Sequence, residues 1–203
     1  MKLRTSLSST SSLMLTGALV LTGCGASTPR SAVGTSSSAP STGPAASGPH
    51  NAQDVSFTTD MLPHHTQAVE MAEMALSRTT DPKVQALARK IKAGQAPEIN
   101  SMRGWLAGWG KPAAAGGSHD MSGMHGGSGM MGGEDMQMLE KARGGQFAKL
   151  WLTDMTRHHQ GAVEMARTEL TAGENSEAKK LAAGILASQS AEIAAMKTLL
   201  AGR

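Results

Sequence analysis

The stretch DMLPHHTQAVEMA, residues 60–72, returns as DMTRHHQGAVEMA at residues 154–166. Nine of these 13 positions are identical, and four of the chain's seven histidines sit in the two His-His pairs. The offset of 94 residues holds without a gap from Asp60/Asp154 to Gly108/Gly202, pairing Leu87 with Leu181, Ile91 with Ile185, Gln95 with Gln189 and Met102 with Met196. An ungapped repeat of this length implies two copies of one supersecondary unit.

Each copy reads as a helical hairpin. In the first, Phe57, Met61, Leu62, Ala68, Val69, Ala72, Ala75 and Leu76 fall at helical spacing. Thr79-Thr80-Asp81-Pro82 breaks the pattern, with Asp81 placed to cap and Pro82 to open a second helix. That helix carries Val84, Leu87, Ala88, Ile91, Ile99, Met102, Trp105 and Leu106, and Pro97 marks a place for a kink. The second copy repeats the scheme, with its break at Ala172-Gly173-Glu174-Asn175. Two such hairpins predict an all-α four-helix bundle over residues 54–203, as repeat 54–110, a Met/His/Gly-rich loop 111–135 and repeat 136–203. A short helical piece is expected from about Glu134 to Arg143.

The polar residues fall where a bundle needs apolar ones. At about 100° per residue, Met61, His65, Ala68 and Ala72 share the centre of the first stripe and Asp54 joins them, while His64 lies on its edge. Gln95, Glu98 and Met102 lie mid-stripe on the next helix, and Gln189, Glu192 and Met196 repeat them. A core-facing carboxylate is costly unless it is paired or bound to a metal. A lone His-Glu pair would be a structural ion pair. The duplication favours a metal site of His64, His65, His158 and His159 with Met61 and Met155, which stand four residues before His65 and His159. Met102, Met196, Glu98 and Glu192 are further candidate ligands, the two Glu binding directly or orienting the imidazoles, with Asp54, Gln95 and Gln189 around them. Met71, Met74 and Met165 read as packing, and Glu70 and Glu164 as solvated.

Residues 118–136, SHDMSGMHGGSGMMGGEDM, form a second candidate site through His119, Met121, Met124, His125, Met130 and Met131. Thioethers in an exposed loop have no packing role, and with imidazoles they suit Cu(I) or Ag(I). The alternative is a linker of biased composition.

The N-terminus carries Lys2 and Arg4, an apolar run from Leu13 to Leu21, and then Cys24, the single cysteine of the chain. This is the layout of a secretory signal, with a run too short to span a bilayer. Leu21-Thr22-Gly23-Cys24 resembles the lipobox of bacterial lipoproteins. The resemblance implies removal of residues 1–23, lipidation of Cys24 and anchoring to the outer face of the bacterial cytoplasmic membrane. Of the chain's 203 residues 180 would remain, with 17 basic against 16 acidic side chains once Lys2 and Arg4 are gone. With no basic block and few aromatic rings, nucleic acid is not an expected partner. Residues 24–53, rich in Ser, Pro, Gly and Ala, are expected to be a flexible tether.

The pattern Asp54-x-x-Phe57-x-x-x-Met61-x-x-His64-His65-x-x-Ala68-Val69-x-Met71-Ala72, with its second copy around Met155, His158 and His159, resembles the secreted His-His domain family, domain of unknown function number three hundred and five. The resemblance covers about residues 54–202. It implies a ferritin-like four-helix fold, export and, in some members, periplasmic copper binding. Two departures stand out. The second copy has Ala148 where the first has Asp54, so the half-sites are unequal. The Glu-x-x-His motif of di-iron proteins is also absent, Met61 and Met155 standing at the Glu places, which counts against oxygen activation. The expected function is storage, buffering or delivery of copper, with another transition metal as the alternative cargo and a copper-handling protein as a further partner. A metal oxidase on the same site, and an envelope scaffold with no bundle metal, are the rival readings.

Overall fold

A computed structural model describes residues 48–113 and 129–203. Cys24, His119, Met121, Met124 and His125 lie outside these residues, as do the signal segment and most of the tether. Five helices follow in order: α1 (Ala52–Arg78), α2 (Pro82–Gly108), α3 (Gly133–Lys141), α4 (Gly144–Ala172) and α5 (Ser176–Ala201). No strand occurs among the described residues. The fold is the expected all-α bundle of two hairpins, α1–α2 and α4–α5, with α3 as the short piece before the second.

Local chemistry sets the ends. Helix α1 begins inside the segment expected to be tether, because Asn51 and Asp54 form a capping box: Asn51 Oδ1 accepts from the Asp54 N–H at 3.1 Å, and Asp54 Oδ2 accepts from the Asn51 N–H at 2.6 Å. Asp81 caps α2 by accepting from the Lys83 and Val84 N–H groups, with Pro82 in the first turn. Asn175 does the same for α5 with Glu177 and Ala178. Helix α2 runs unbroken through Pro97. Helix α1 likewise contains Pro63, whose missing N–H leaves the turn before His64 one hydrogen bond short.

The hairpins meet mainly through α1 and α4, while α2 and α5 touch only slightly. Two apolar clusters fill the interior. One gathers Met71, Ile91, Leu139, Phe147, Trp151, Met155 and Met196, and the other Phe57, Met61, Ile99, Met102, Trp105 and Ile185. Trp151 is fully buried and its Nε1–H donates to the Met71 carbonyl at 2.8 Å, fastening α4 to α1. Truncating such a side chain costs about 3–5 kcal/mol.

Candidate metal centre

The four histidines are all buried, with His64 1% exposed and His65, His158 and His159 fully enclosed. Sequence spacing put His64 at the edge of its stripe. The structure buries it too, because α4 covers that edge. The His64 and His158 rings face each other across the α1–α4 seam with centroids 3.7 Å apart and planes tilted by 38°. Within each pair the rings lie 6.5 Å apart in α1 and 6.3 Å apart in α4.

The outer histidines turn to the second helix of their own hairpin. His65 Nε2 meets Glu98 Oε2 at 2.8 Å, and His159 Nε2 meets Glu192 Oε2 at 2.9 Å. A carboxylate oxygen only accepts, so each Nε2 donates its proton there. The Nδ1 atoms of His65 and His159 are buried without a hydrogen-bond partner among the described residues, as are both ring nitrogens of His158. Burial holds the His158 imidazole well below the ordinary histidine range, and the neighbouring imidazoles push it the same way. Burial also lowers His159, with the Glu192 hydrogen bond opposing it. Both rings are therefore neutral at neutral pH.

The half-sites differ. The Glu192 side chain is 7% exposed and its other oxygen lies 3.5 Å from Lys90 Nζ. Glu98, expected in mid-stripe, is 24% exposed. Gly184 stands where a twin of Lys90 would be, so that ion pair has no counterpart. Gln95 and Gln189 are buried with amide atoms that find no partner among the described residues.

The thioethers complete the donor inventory. Met61, Met102, Met155 and Met196 are fully buried, Met61 with Met102 in one apolar cluster and Met155 with Met196 in the other. No group of three or more His, Cys, Asp or Glu side chains is gathered for a metal among the described residues. What the bundle offers is neutral imidazole with thioether nearby, a donor set that fits a soft cation.

Two expectations need correction. Asp54 does not attend the histidines. Ten residues separate it from His64, about 15 Å of helix, and its carboxylate accepts from the backbone N–H groups of Asn175 at 2.8 Å and Glu174 at 3.1 Å. It clips α1 to the α4–α5 turn. Met131 is not an exposed loop thioether either. It is 5% exposed and packs in the Met155 cluster, because its backbone is held by the Gln67 side chain. Met130 is half-buried.

Glu169 escaped the sequence reading. It is fully buried beside Asp54, and burial, then the hydrogen bond and charge of Asp54, push its carboxyl up to about 8. Burial alone would raise Asp54, but donation from Asn51, from Glu169 and from the Asn175 and Glu174 backbone outweighs it and lowers that carboxyl. The two neighbouring carboxyls are thus pushed in opposite directions. The 94-residue offset carried the signal: Asp54 maps to Ala148 and Glu169 to Ala75, both fully buried, so the pair is replaced as a unit by two alanines.

The family described as Domain of unknown function (DUF305) matches residues 54–200. The chain belongs to the DUF305 family. A DUF305 protein of Streptomyces coelicolor that carries the description of a secreted protein has a solved structure 37% identical to this chain, at a TM-score of 0.66 over 74% of this chain and 91% of that one. CopM in its Cu(II)-bound form is 38% identical at a TM-score of 0.63, covering 73% of this chain and 96% of that one. CopM has also been solved bound to Cu(I) and to Ag. Among curated proteins, uncharacterized protein L153 of Acanthamoeba polyphaga mimivirus is 38% identical over 53 residues, 26% of this chain and 35% of that one. The chain thus spans about a third of the curated relative it matches. As in the DUF305 relatives, the fold is a helical bundle, and no helix among the described residues is long and apolar enough to cross a membrane.

Proposed function

We propose that this DUF305 protein is an exported copper-binding protein, tethered outside the cytoplasmic membrane through a lipidated Cys24, that stores, buffers or delivers copper. One observation carries the reading: four buried histidines, two of them oriented by a carboxylate on Nε2 and left with an unpartnered Nδ1. Metal-binding histidines are held in this way, with the second nitrogen donating to a carboxylate. Glu98 and Glu192 accordingly orient His65 and His159 rather than ligate. Met61 and Met155 supply thioethers that favour Cu(I) over harder cations. The likeness to CopM, solved with Cu(I), Cu(II) and Ag, supports the choice of metal.

Anaerobic titration of the full-length protein with Cu(I) against a competing chelator tests this. A variant with His64, His65, His158 and His159 all changed to Ala runs beside it. Tight binding that the variant loses is the expected result. Equal binding by both proteins places the metal elsewhere and makes the histidines structural.

A further inference from the structure

Copper must reach histidines that no solvent touches, and a bare cation does not cross an apolar layer unaided. One short segment lies over the seam where they meet. Gln67, one turn beyond His64, grips Met131 from both sides: the Met131 N–H donates to Gln67 Oε1 at 2.8 Å, and Gln67 Nε2 donates to the Met131 carbonyl at 2.9 Å. The other end of the segment rests on α4. Gly129 has φ +73°, and a Cβ there would stand 2.5 Å from the Arg157 carbonyl oxygen and 3.1 Å from that of His158. Only glycine fits such an approach. Residues 129–131 therefore bridge α1 and α4 at the level of the His64–His158 pair.

The Met131 sulfur touches a side chain that itself reaches solvent. Arg157, whose side chain is 53% exposed, donates from Nη2 to Met131 Sδ at 3.2 Å and to Asp135 Oδ2 at 2.9 Å. The same residue packs inward in the cluster that holds Ala68 and Met155, neighbours of both His pairs along their helices. Met131 itself is 5% exposed, so its sulfur lies directly beneath the half-exposed Arg157 guanidinium and is continuous with the buried donors through its packing.

We propose that Met131 is the receiving thioether through which Cu(I) passes to the buried histidines, and that Gln67 and Gly129 are the residues that position it. The inference rests on the copper-binding reading above. It assigns the segment a kinetic role: the final site is made by other residues, and Met131 lowers the barrier to reaching it.

The test follows uptake of Cu(I) from a chromogenic Cu(I) chelator by the full-length protein under anaerobic stopped flow. Met131→Leu removes the sulfur while conserving volume and packing, and Gln67→Ala releases the clamp. Both variants should take up Cu(I) about tenfold more slowly, with final affinity and helical content as in the unaltered protein. Unchanged uptake rates in both variants overturn the proposal while leaving copper binding intact. A parallel fall of rate and affinity in Met131→Leu also overturns it, because Met131 is then a final ligand. Failure of the unaltered protein to take up Cu(I) at all overturns the copper-binding reading itself, and this inference with it.

Discussion

His64 and His158, from equivalent places in the two copies of one repeat, face each other at 3.7 Å across the seam between α1 and α4. Two imidazoles this close and this dry cannot both be protonated, and the fold keeps His158 neutral. The cost appears in acid. A base whose folded pKa is depressed contributes stability above its unfolded value, near 6.5, and loses it as pH falls. The metal-free protein should lose urea resistance steadily from about pH 6.5 to pH 5. His158→Leu should flatten that slope, and an unchanged slope would contradict the assignment. Copper affinity should follow, holding at pH 6.5 and falling by pH 5 as protons compete for the ring nitrogens.

Glu169 predicts the opposite slope. Its folded pKa, about 8, lies above the ordinary 4.5, so its favourable contribution is complete below about 4.5 and is lost as pH rises through 8. Asp54 faces it directly, and Gln53 and Lys179 pull the other way. Glu169→Gln keeps a donor for Asp54 without a charge to expel. It should raise Tm at pH 8 by about 5 °C and change little at pH 4.5. A lower Tm at pH 8 would show that the ionised carboxylate is the stabilising form.

The unequal carboxylates should have unequal effects on copper. Glu192→Gln removes the carboxylate charge that fixes a fully buried imidazole and leaves only a weaker amide acceptor, and Cu(I) affinity should drop by about 10–100-fold. Glu98 is partly exposed, so solvent already screens its charge on His65, and Glu98→Gln should cost less. Chelator competition on the two variants decides the order, and a larger loss for Glu98→Gln contradicts it.

Met61→Leu and Met155→Leu separate packing from ligation. Leucine fills a similar volume, so folding stability should change by less than about 1.5 kcal/mol. Cu(I) affinity should fall while Zn(II) affinity holds, since thioethers bind the softer ion. Equal retention of both metals would make these sulfurs ordinary core.

Much of this molecule was legible in its sequence because a duplication doubles every signal. Helical spacing, Asp81-Pro82 and the ungapped offset determine two hairpins, and mid-stripe Glu98 and Glu192 point to the His65 and His159 pairings that the structure contains. What stayed hidden depends on how the hairpins meet. The burial of His64 needs α4 over its edge, a contact that no helical wheel contains. The Asp54–Glu169 pair joins residues more than a hundred positions apart, and only its joint replacement by Ala148 and Ala75 betrays it. Met131 looked like part of an open loop because glycine-rich composition conceals a single glutamine on another helix that holds it down.

The most direct measurement is anomalous diffraction at the copper edge from crystals of the Cu(I)-loaded protein. The account predicts copper inside the bundle, within bonding distance of the Nδ1 atoms of His65 or His159 and beside the thioethers of Met61 or Met155. Copper found only on residues 118–136, with both Nδ1 atoms left bare, would contradict it.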